Sequence, residues 1–204
     1  EARKVLVDAQ ASVRLDLPAC EIEAKTITQD GLKVSLTIVR PAGSKAILPG
    51  FIFVHGGGWV LGDKITHDRL VREIANGANA AVVFVNYTPA PEARYPVAIE
   101  EAYAATEWVA QNSQALKIDP ARIAVAGDGV GGNMAAAVTL VAKARGGPKI
   151  IYQLLFYPVT DASFETDSYN EFADGPWLTR EAMKRFWNNY APDVALRDEP
   201  TASP

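Results

Sequence analysis

The chain has 204 residues, enough for one domain or a large part of one. A hydrophobic fraction of 49% and a charged fraction of 22% exclude a disordered or fibrous chain. The net charge of -4 argues against nucleic acid as a partner, and no stretch approaches the roughly 18 apolar residues of a membrane span.

The amino terminus, Glu1 to Gln10, carries charge throughout, lacks the apolar core of a secretory signal and has no initiating Met. The cytoplasm is the expected compartment. Cys20 is the single cysteine, so no internal disulfide forms. His55 and His67 are the only histidines.

Residues 1 to about Val13 read as a short amphipathic helix. Glu21 to Thr28 and Leu32 to Val39 alternate as strands, and Asp30-Gly31 between them is a hairpin signal. Four short apolar runs follow: Phe51–Val54, Ala81–Val85, Ile123–Ala126 and Ile150–Tyr157. Such runs fit strands buried on both faces of a parallel sheet. Helical spacing separates them. Leu70, Ile74 and Ala78 follow Thr66. Ala98, Ala102, Ala105 and Val109 follow Pro96. Met134, Val138 and Val141 lead to Gly146-Gly147-Pro148. The alternation predicts an α/β fold, a mostly parallel, doubly wound sheet with helices on both faces. A fourth helix is predicted from Thr179 to Tyr190.

The last fourteen residues, Ala191 to Pro204, contain three prolines and show no strand or helix pattern. The Ile150–Tyr157 strand would then form an open apolar edge, a liability that native sheets cover. Residues 1–204 are therefore read as one incomplete domain, without repeats or low-complexity segments.

Two glycine-rich segments follow strands. His55-Gly56-Gly57-Gly58-Trp59 directly follows Phe51–Val54. Three glycines let the backbone turn and present bare N–H groups, as an oxyanion hole requires. Gly127-Asp128-Gly129-Val130-Gly131-Gly132-Asn133 lies between a strand and a helix. As G-x-G-x-x-G it imitates a dinucleotide fingerprint; as G-x-S-x-G it is a nucleophile elbow with Gly129 in the place of serine. The dinucleotide reading needs an acidic residue about 20 positions further on. Ile150 to Leu155 contains none, and that reading leaves His55–Trp59 unexplained.

With Tyr87-Thr88-Pro89-Ala90-Pro91-Glu92 between them, these motifs resemble, in order and spacing, the hormone-sensitive-lipase-like esterases of the α/β-hydrolase superfamily. Gly62-Asp63, Thr66-His67-Asp68, Tyr157-Pro158 with Asp161, Trp177-Leu178 and Phe186-Trp187 are smaller echoes, and 163–192 resembles a cap segment. The resemblance implies an α/β-hydrolase fold whose last strands are absent from this chain. It implies hydrolysis of short-chain carboxylic esters by a Ser–His–Asp triad without metal or cofactor. Gly57, Gly58 and Val130 would be oxyanion donors. His55, Asp128, Tyr87 and Glu92 would support the site.

The departures matter. Gly129 has no side chain to acylate. The family's triad Asp and His lie after two further strands, which fall beyond Pro204, and no histidine follows His67. Val194 to Glu199 superficially resembles the aspartate loop but follows a helix and a proline, so it reads as a cap-to-core linker. The expected function is therefore that of a carboxylic ester hydrolase by family, inactive in this chain. The alternative is a non-catalytic binding protein on a hydrolase scaffold. Expected partners are a small-molecule ester and a complementary C-terminal segment or a second copy. His67 reads as a surface or capping histidine, and Glu100, Glu101 and Glu107 as a solvated helix face. Cys20 reads as unreactive. Phe186, Trp187 and Tyr190 read equally as core or as acyl-pocket wall.

Overall fold

In the computed structural model, which describes residues 1–13 and 15–204, Asp30 and Gly31 take φ values of 51° and 81°. Two successive positive φ angles give a tight turn whose twist matches that of paired strands. It joins β1 (Cys20–Gln29) to β2 (Leu32–Pro41), with Gln29 opposite Leu32. The apolar runs form β3 (Leu48–Val54), β4 (Ala81–Asn86), β5 (Ile118–Asp128) and β6 (Tyr152–Phe156). All six lie in one sheet of order β1-β2-β4-β3-β5-β6. The pairs β3–β4, β3–β5 and β5–β6 are parallel, and the two pairs made by β2 are antiparallel.

The helices are α1 (Ala2–Ala11), α2 (Asp68–Gly77), α3 (Val97–Gln111), α4 (Val130–Arg145), α5 (Asp167–Glu171) and α6 (Arg180–Tyr190). Strand β3 shows why its run is apolar throughout. Phe53 packs with Val71, Ala75, Val82 and Phe84 on the α2 side of the sheet. Ile52 and Val54 point the other way, into the cluster that holds Ala102, Val109, Met134 and Val138 of α3 and α4. Gly146, at φ 62°, ends α4 in a left-handed cap. Among the described residues no helix is long and apolar enough to cross a membrane.

The carboxy-terminal stretch is more ordered than its sequence suggests. Val194–Asp198 is a 3-10 helix, started by Asp193 Oδ1 accepting from the Ala195 N–H at 3.0 Å. Arg197 is buried and donates to the Ala191 carbonyl (2.9 Å) and to Asn188 Oδ1 (2.7 Å). Ala202 is fully buried, and its carbonyl accepts from Asn133 Nδ2 at 2.8 Å. A five-residue turn between Pro192 and Pro200 is too short for periodicity to reveal. Strand β6 is shorter than its apolar run. Its outer edge is unpaired among the described residues, and Ile151 and Tyr152 are exposed.

Strand β3 precedes β4 and β5 in sequence yet lies between them. The direction of sheet growth therefore reverses at β3. In open α/β sheets, ligands bind beyond the carboxyl ends of the strands at such a switch point.

Candidate active site

Val54, the last residue of β3, lies opposite Gly127 of β5. The segments leaving the two strands therefore meet. Gly129 has φ 53° and ψ -117°, a conformation that costs a residue with a side chain on the order of 1–3 kcal/mol. A Cβ placed on it meets nothing nearer than Tyr157 Cε2 at 4.0 Å. The position is open. Gly131 is the opposite case, since a Cβ there would strike the Val54 carbonyl oxygen. Only glycine lets the first turn of α4 rest on the end of β3.

In the glycine loop, the Gly57 carbonyl accepts from the N–H groups of Val60 (3.2 Å) and Leu61 (2.8 Å), closing a tight turn. The Gly56 N–H donates to Asp128 Oδ1 at 3.0 Å. Among the described residues, the N–H groups of Gly57, Gly58 and Val130 have no protein acceptor. Val130 opens α4, where N–H groups lack intrahelical partners and the helix end carries partial positive charge.

His55 is buried. Its Nδ1–H donates to the Gly56 carbonyl at 2.8 Å, and its ring stacks between Phe84 (5.3 Å) and Tyr87 (4.3 Å). Burial lowers its pKa to about 4, so the ring is neutral near pH 7. Tyr87 donates from its hydroxyl to the His55 carbonyl at 3.1 Å. Burial pushes the Tyr87 phenol well above its ordinary range.

His67 is not a surface histidine. Its side chain is 11% exposed, and its Nε2 lies 3.3 Å from Asp128 Oδ2. An ionised carboxylate only accepts, so Nε2 carries the proton. Nδ1 sits 2.9 Å from Thr66 Oγ1 and 3.2 Å from the Asp63 carbonyl. Burial alone would raise the Asp128 pKa. The His67 hydrogen bond and charge, with the Gly56 N–H, outweigh it and hold the carboxyl below its usual range. Asp128 thereby ties the elbow to both the glycine loop and the start of α2.

Glu101 also departs from the expected solvated face. It is buried, and its carboxylate accepts from the Thr88 N–H (2.6 Å) and Thr88 Oγ1 (2.7 Å). Glu100 pairs with Arg145, and Glu107 accepts from the Tyr103 hydroxyl. Thus Glu101 fixes the segment after Tyr87 from inside. Glu92 lies on the outside, gripped by Arg3 at 2.8 and 2.9 Å. Arg3 also donates to the carbonyls of Val60 (2.7 Å) and Ala90 (3.0 Å). That hydrogen bonding to Arg3 lowers the Glu92 pKa to about 2. Helix α1 buries no residue of its own, so Arg3 is its strap to the loops beneath.

Trp187 and Tyr190 are core, and Phe186 packs against that core, half-buried. The Trp59 ring stacks on Tyr190 (4.2 Å, 5°) and tilts against Trp187 (4.7 Å), all three fully buried. Phe186 lies directly over Gly58, where a Cβ would collide with its ring. A cleft of about 920 Å³ lies beside Asp128 of the elbow, with Leu6, Gly57, His67, Tyr157 and Trp177 also in its wall. Among the described residues no cluster of three or more His, Cys, Asp or Glu gathers as a metal site. Cys20 lies on β1, with Asn76 Nδ2 at 3.1 Å from its sulfur. His67 and Glu101 were missed because their partners, Asp128 and Thr88, are 61 and 13 residues away. Thr66-His67-Asp68 was the available signal for the first.

A family profile of the alpha/beta hydrolase fold matches residues 51–204. Carboxylesterase NlhH of Mycobacterium tuberculosis is 42% identical over 183 residues, covering 89% of this chain and 57% of its own length. Esterase LipI of the same species is 46% identical over 180 residues, with coverage of 82% and 56%. The crystal structure of a thermostable esterase from Pseudomonas putida matches with a TM-score of 0.97 at 54% identity, over 100% of this chain and 64% of that one. The chain thus spans 56–57% of the length of these two curated relatives. By these likenesses the chain belongs to the hormone-sensitive-lipase-like carboxylesterases of the α/β-hydrolase superfamily.

Proposed function

We propose that the cleft is a carboxylic-ester site in which Gly57, Gly58 and Val130 form the oxyanion hole and Gly129 occupies the nucleophile position. Residues 1–204 then bind a small ester without cleaving it. The observation that carries this reading is the set of three N–H groups without a protein acceptor beside an open, left-handed elbow position. Donors fixed in this way stabilise the negative charge that develops on an ester carbonyl, each worth about 2.7–4 kcal/mol in the transition state.

With serine at position 129, Oγ would attack the carbonyl carbon and the carbonyl oxygen would take up the three N–H groups. A histidine would accept the serine proton and return it to the departing alkoxide, leaving an acyl-serine for water to hydrolyse. His67 is not that base, because its Nε2 faces Asp128 and its Nδ1 faces Thr66 and Asp63. In this reading the base and its aspartate belong to polypeptide beyond Pro204. His55, Asp128 and Tyr87 hold the glycine loop, Glu92 anchors α1, and 163–192 caps the cleft.

The test uses p-nitrophenyl acetate and a fluorophosphonate. The Gly129 chain is expected to give neither a burst nor a covalent adduct. Fixed donors alone can leave roughly 10³–10⁴-fold acceleration over water, so the burst and the adduct are the readouts. Gly129→Ser in residues 1–204 is expected to stay without turnover, since a serine hydroxyl needs a base. The same substitution in a polypeptide continuing through the family's remaining length is expected to turn over. An acyl adduct on the Gly129 chain would contradict the reading. A folded but inactive extended serine protein would favour the alternative that Gly129 itself suggests, a binding protein on a hydrolase scaffold.

A further inference from the structure

A carboxylate is buried only where hydrogen bonds or an ion pair compensate it. Glu101 lies within α3 and is buried, and among the described residues no Lys, Arg or His forms an ion pair with it. Its hydrogen bonds go to a single residue. Its two oxygens accept from the Thr88 N–H at 2.6 Å and from the Thr88 hydroxyl at 2.7 Å. Thr88 itself is exposed, so packing does not set its place. Among the described residues its N–H and hydroxyl have no other partner. One carboxylate therefore fixes both the backbone and the side chain of Thr88.

From Thr88 a chain of contacts leads to the glycine loop. The preceding residue, Tyr87, donates from its hydroxyl to the His55 carbonyl at 3.1 Å, and its ring stacks on His55 at 4.3 Å and 17°. The His55 Nδ1–H donates to the Gly56 carbonyl at 2.8 Å. The peptide between Gly56 and Gly57 is trans, so its carbonyl and its N–H point in opposite directions. A bond that turns the Gly56 carbonyl toward His55 turns the Gly57 N–H away from it. Hydrogen bonding at the carbonyl also polarises that N–H. A cavity of about 240 Å³ borders His55 and Tyr87. Packing therefore leaves the two rings room to shift, and the polar chain that starts at Glu101 takes up that freedom.

We propose that Glu101 is a positioning residue for the oxyanion hole, setting the direction of the Gly57 N–H through Thr88, Tyr87 and His55. This deepens the ester-site reading and rests on it for what that N–H receives. Asp128 grips the same loop by the Gly56 N–H, so two carboxylates fix successive peptide units. The Val130 N–H belongs to α4 and stands outside this chain of bonds, which makes it an internal reference.

The test compares the 15N-labelled Gly129 chain with Glu101→Leu, Glu101→Gln and Thr88→Val. Leucine removes both acceptors. Glutamine keeps one acceptor for the Thr88 N–H and offers its amide to the hydroxyl, which can accept instead. Valine removes the hydroxyl bond alone. Water can reach the exposed Thr88, so near-native dichroism is expected of all three, and Thr88→Val carries the test if Glu101→Leu does not fold. Without ligand, the Gly57 amide and the His55 ring nitrogens are expected to move in Glu101→Leu, to move less in Thr88→Val, and to stay near the parent in Glu101→Gln, with Val130 unmoved throughout. Butyrate is expected to bind Glu101→Leu about 3- to 10-fold more weakly, part of the roughly 10- to 150-fold that one hydrogen bond to a charged acceptor is worth, and Glu101→Gln within twofold of the parent. Unmoved Gly57 and His55 signals in folded Glu101→Leu, an equal displacement of Val130, or a glutamine variant as impaired as the leucine one would overturn the proposal. The two readings fail separately. If the ligand-free signals move as expected but the parent does not bind butyrate, the role of Glu101 stands and the ester-site reading falls. If butyrate shifts the three amides while the ligand-free signals ignore Glu101→Leu, the reverse holds.

Discussion

At Gly129 the backbone holds φ 53° and ψ -117° while its N–H and carbonyl bond to Phe156 and Val159 on either side of Tyr157. A serine fits the space, since the nearest atom to its Cβ is 4.0 Å away, but it must adopt the left-handed backbone. Gly129→Ser is therefore expected to remain folded and to lose about 1–3 kcal/mol, read as a lower urea midpoint with an unchanged slope. An unchanged midpoint would show that the elbow is not strained. The turn at Gly129 was legible in the sequence because the motif is local: seven consecutive residues between a strand and a helix. The roles of His67 and Glu101 were not legible in this way. A histidine before a helix looks like a cap, and a glutamate among helical glutamates looks solvated, until the fold brings Asp128 and Thr88 to them.

At the level of elements, the strands and helices with strong periodicity follow the sequence closely. The Asp30-Gly31 hairpin, Pro96 ahead of α3, Gly146 behind α4 and Thr179 capping α6 are all local signals. The short pieces escaped. α5 spans five residues, with Thr166 Oγ1 accepting from the Tyr169 N–H at 3.3 Å. The 3-10 turn at Val194–Asp198 is equally brief. The edge of β6 carries a physical consequence. Among the described residues it pairs with β5 alone, and Ile151 and Tyr152 are 50% and 59% exposed along it. Such an edge recruits further strand. Sedimentation of residues 1–204 is expected to show association that grows with concentration. A strictly monomeric species with a sharp thermal transition would contradict that.

Across the whole molecule, the glycine loop, the elbow and the neighbouring helix ends are joined through buried polar groups at the switch point of the sheet, and this makes stability depend on pH. His55 has a pKa of about 4 in the fold against 6.5 unfolded. Below pH 6.5 the unfolded chain binds a proton that the folded chain refuses. The contribution is present in full above about pH 6.5 and is lost as pH falls through 4, on the order of 3 kcal/mol. Glu92 and Asp128 are held below their ordinary values, so their losses come at lower pH. Thermal midpoints are expected to be flat above pH 7 and to fall between pH 6.5 and 4.5, with most of that slope gone in His55→Asn. An asparagine amide can still donate to the Gly56 carbonyl but does not titrate. An unaltered slope in that variant would remove His55 as the cause. The most direct test of the ester-site reading follows the backbone N–H groups themselves. A 15N-amide spectrum of the Gly129 chain is titrated with butyrate, the carboxylate product of a short ester. Saturable downfield shifts of the Gly57, Gly58 and Val130 amides, ahead of all others, are the expected result. Shifts confined elsewhere, or no saturable response of these three, would contradict an oxyanion-binding site at the elbow.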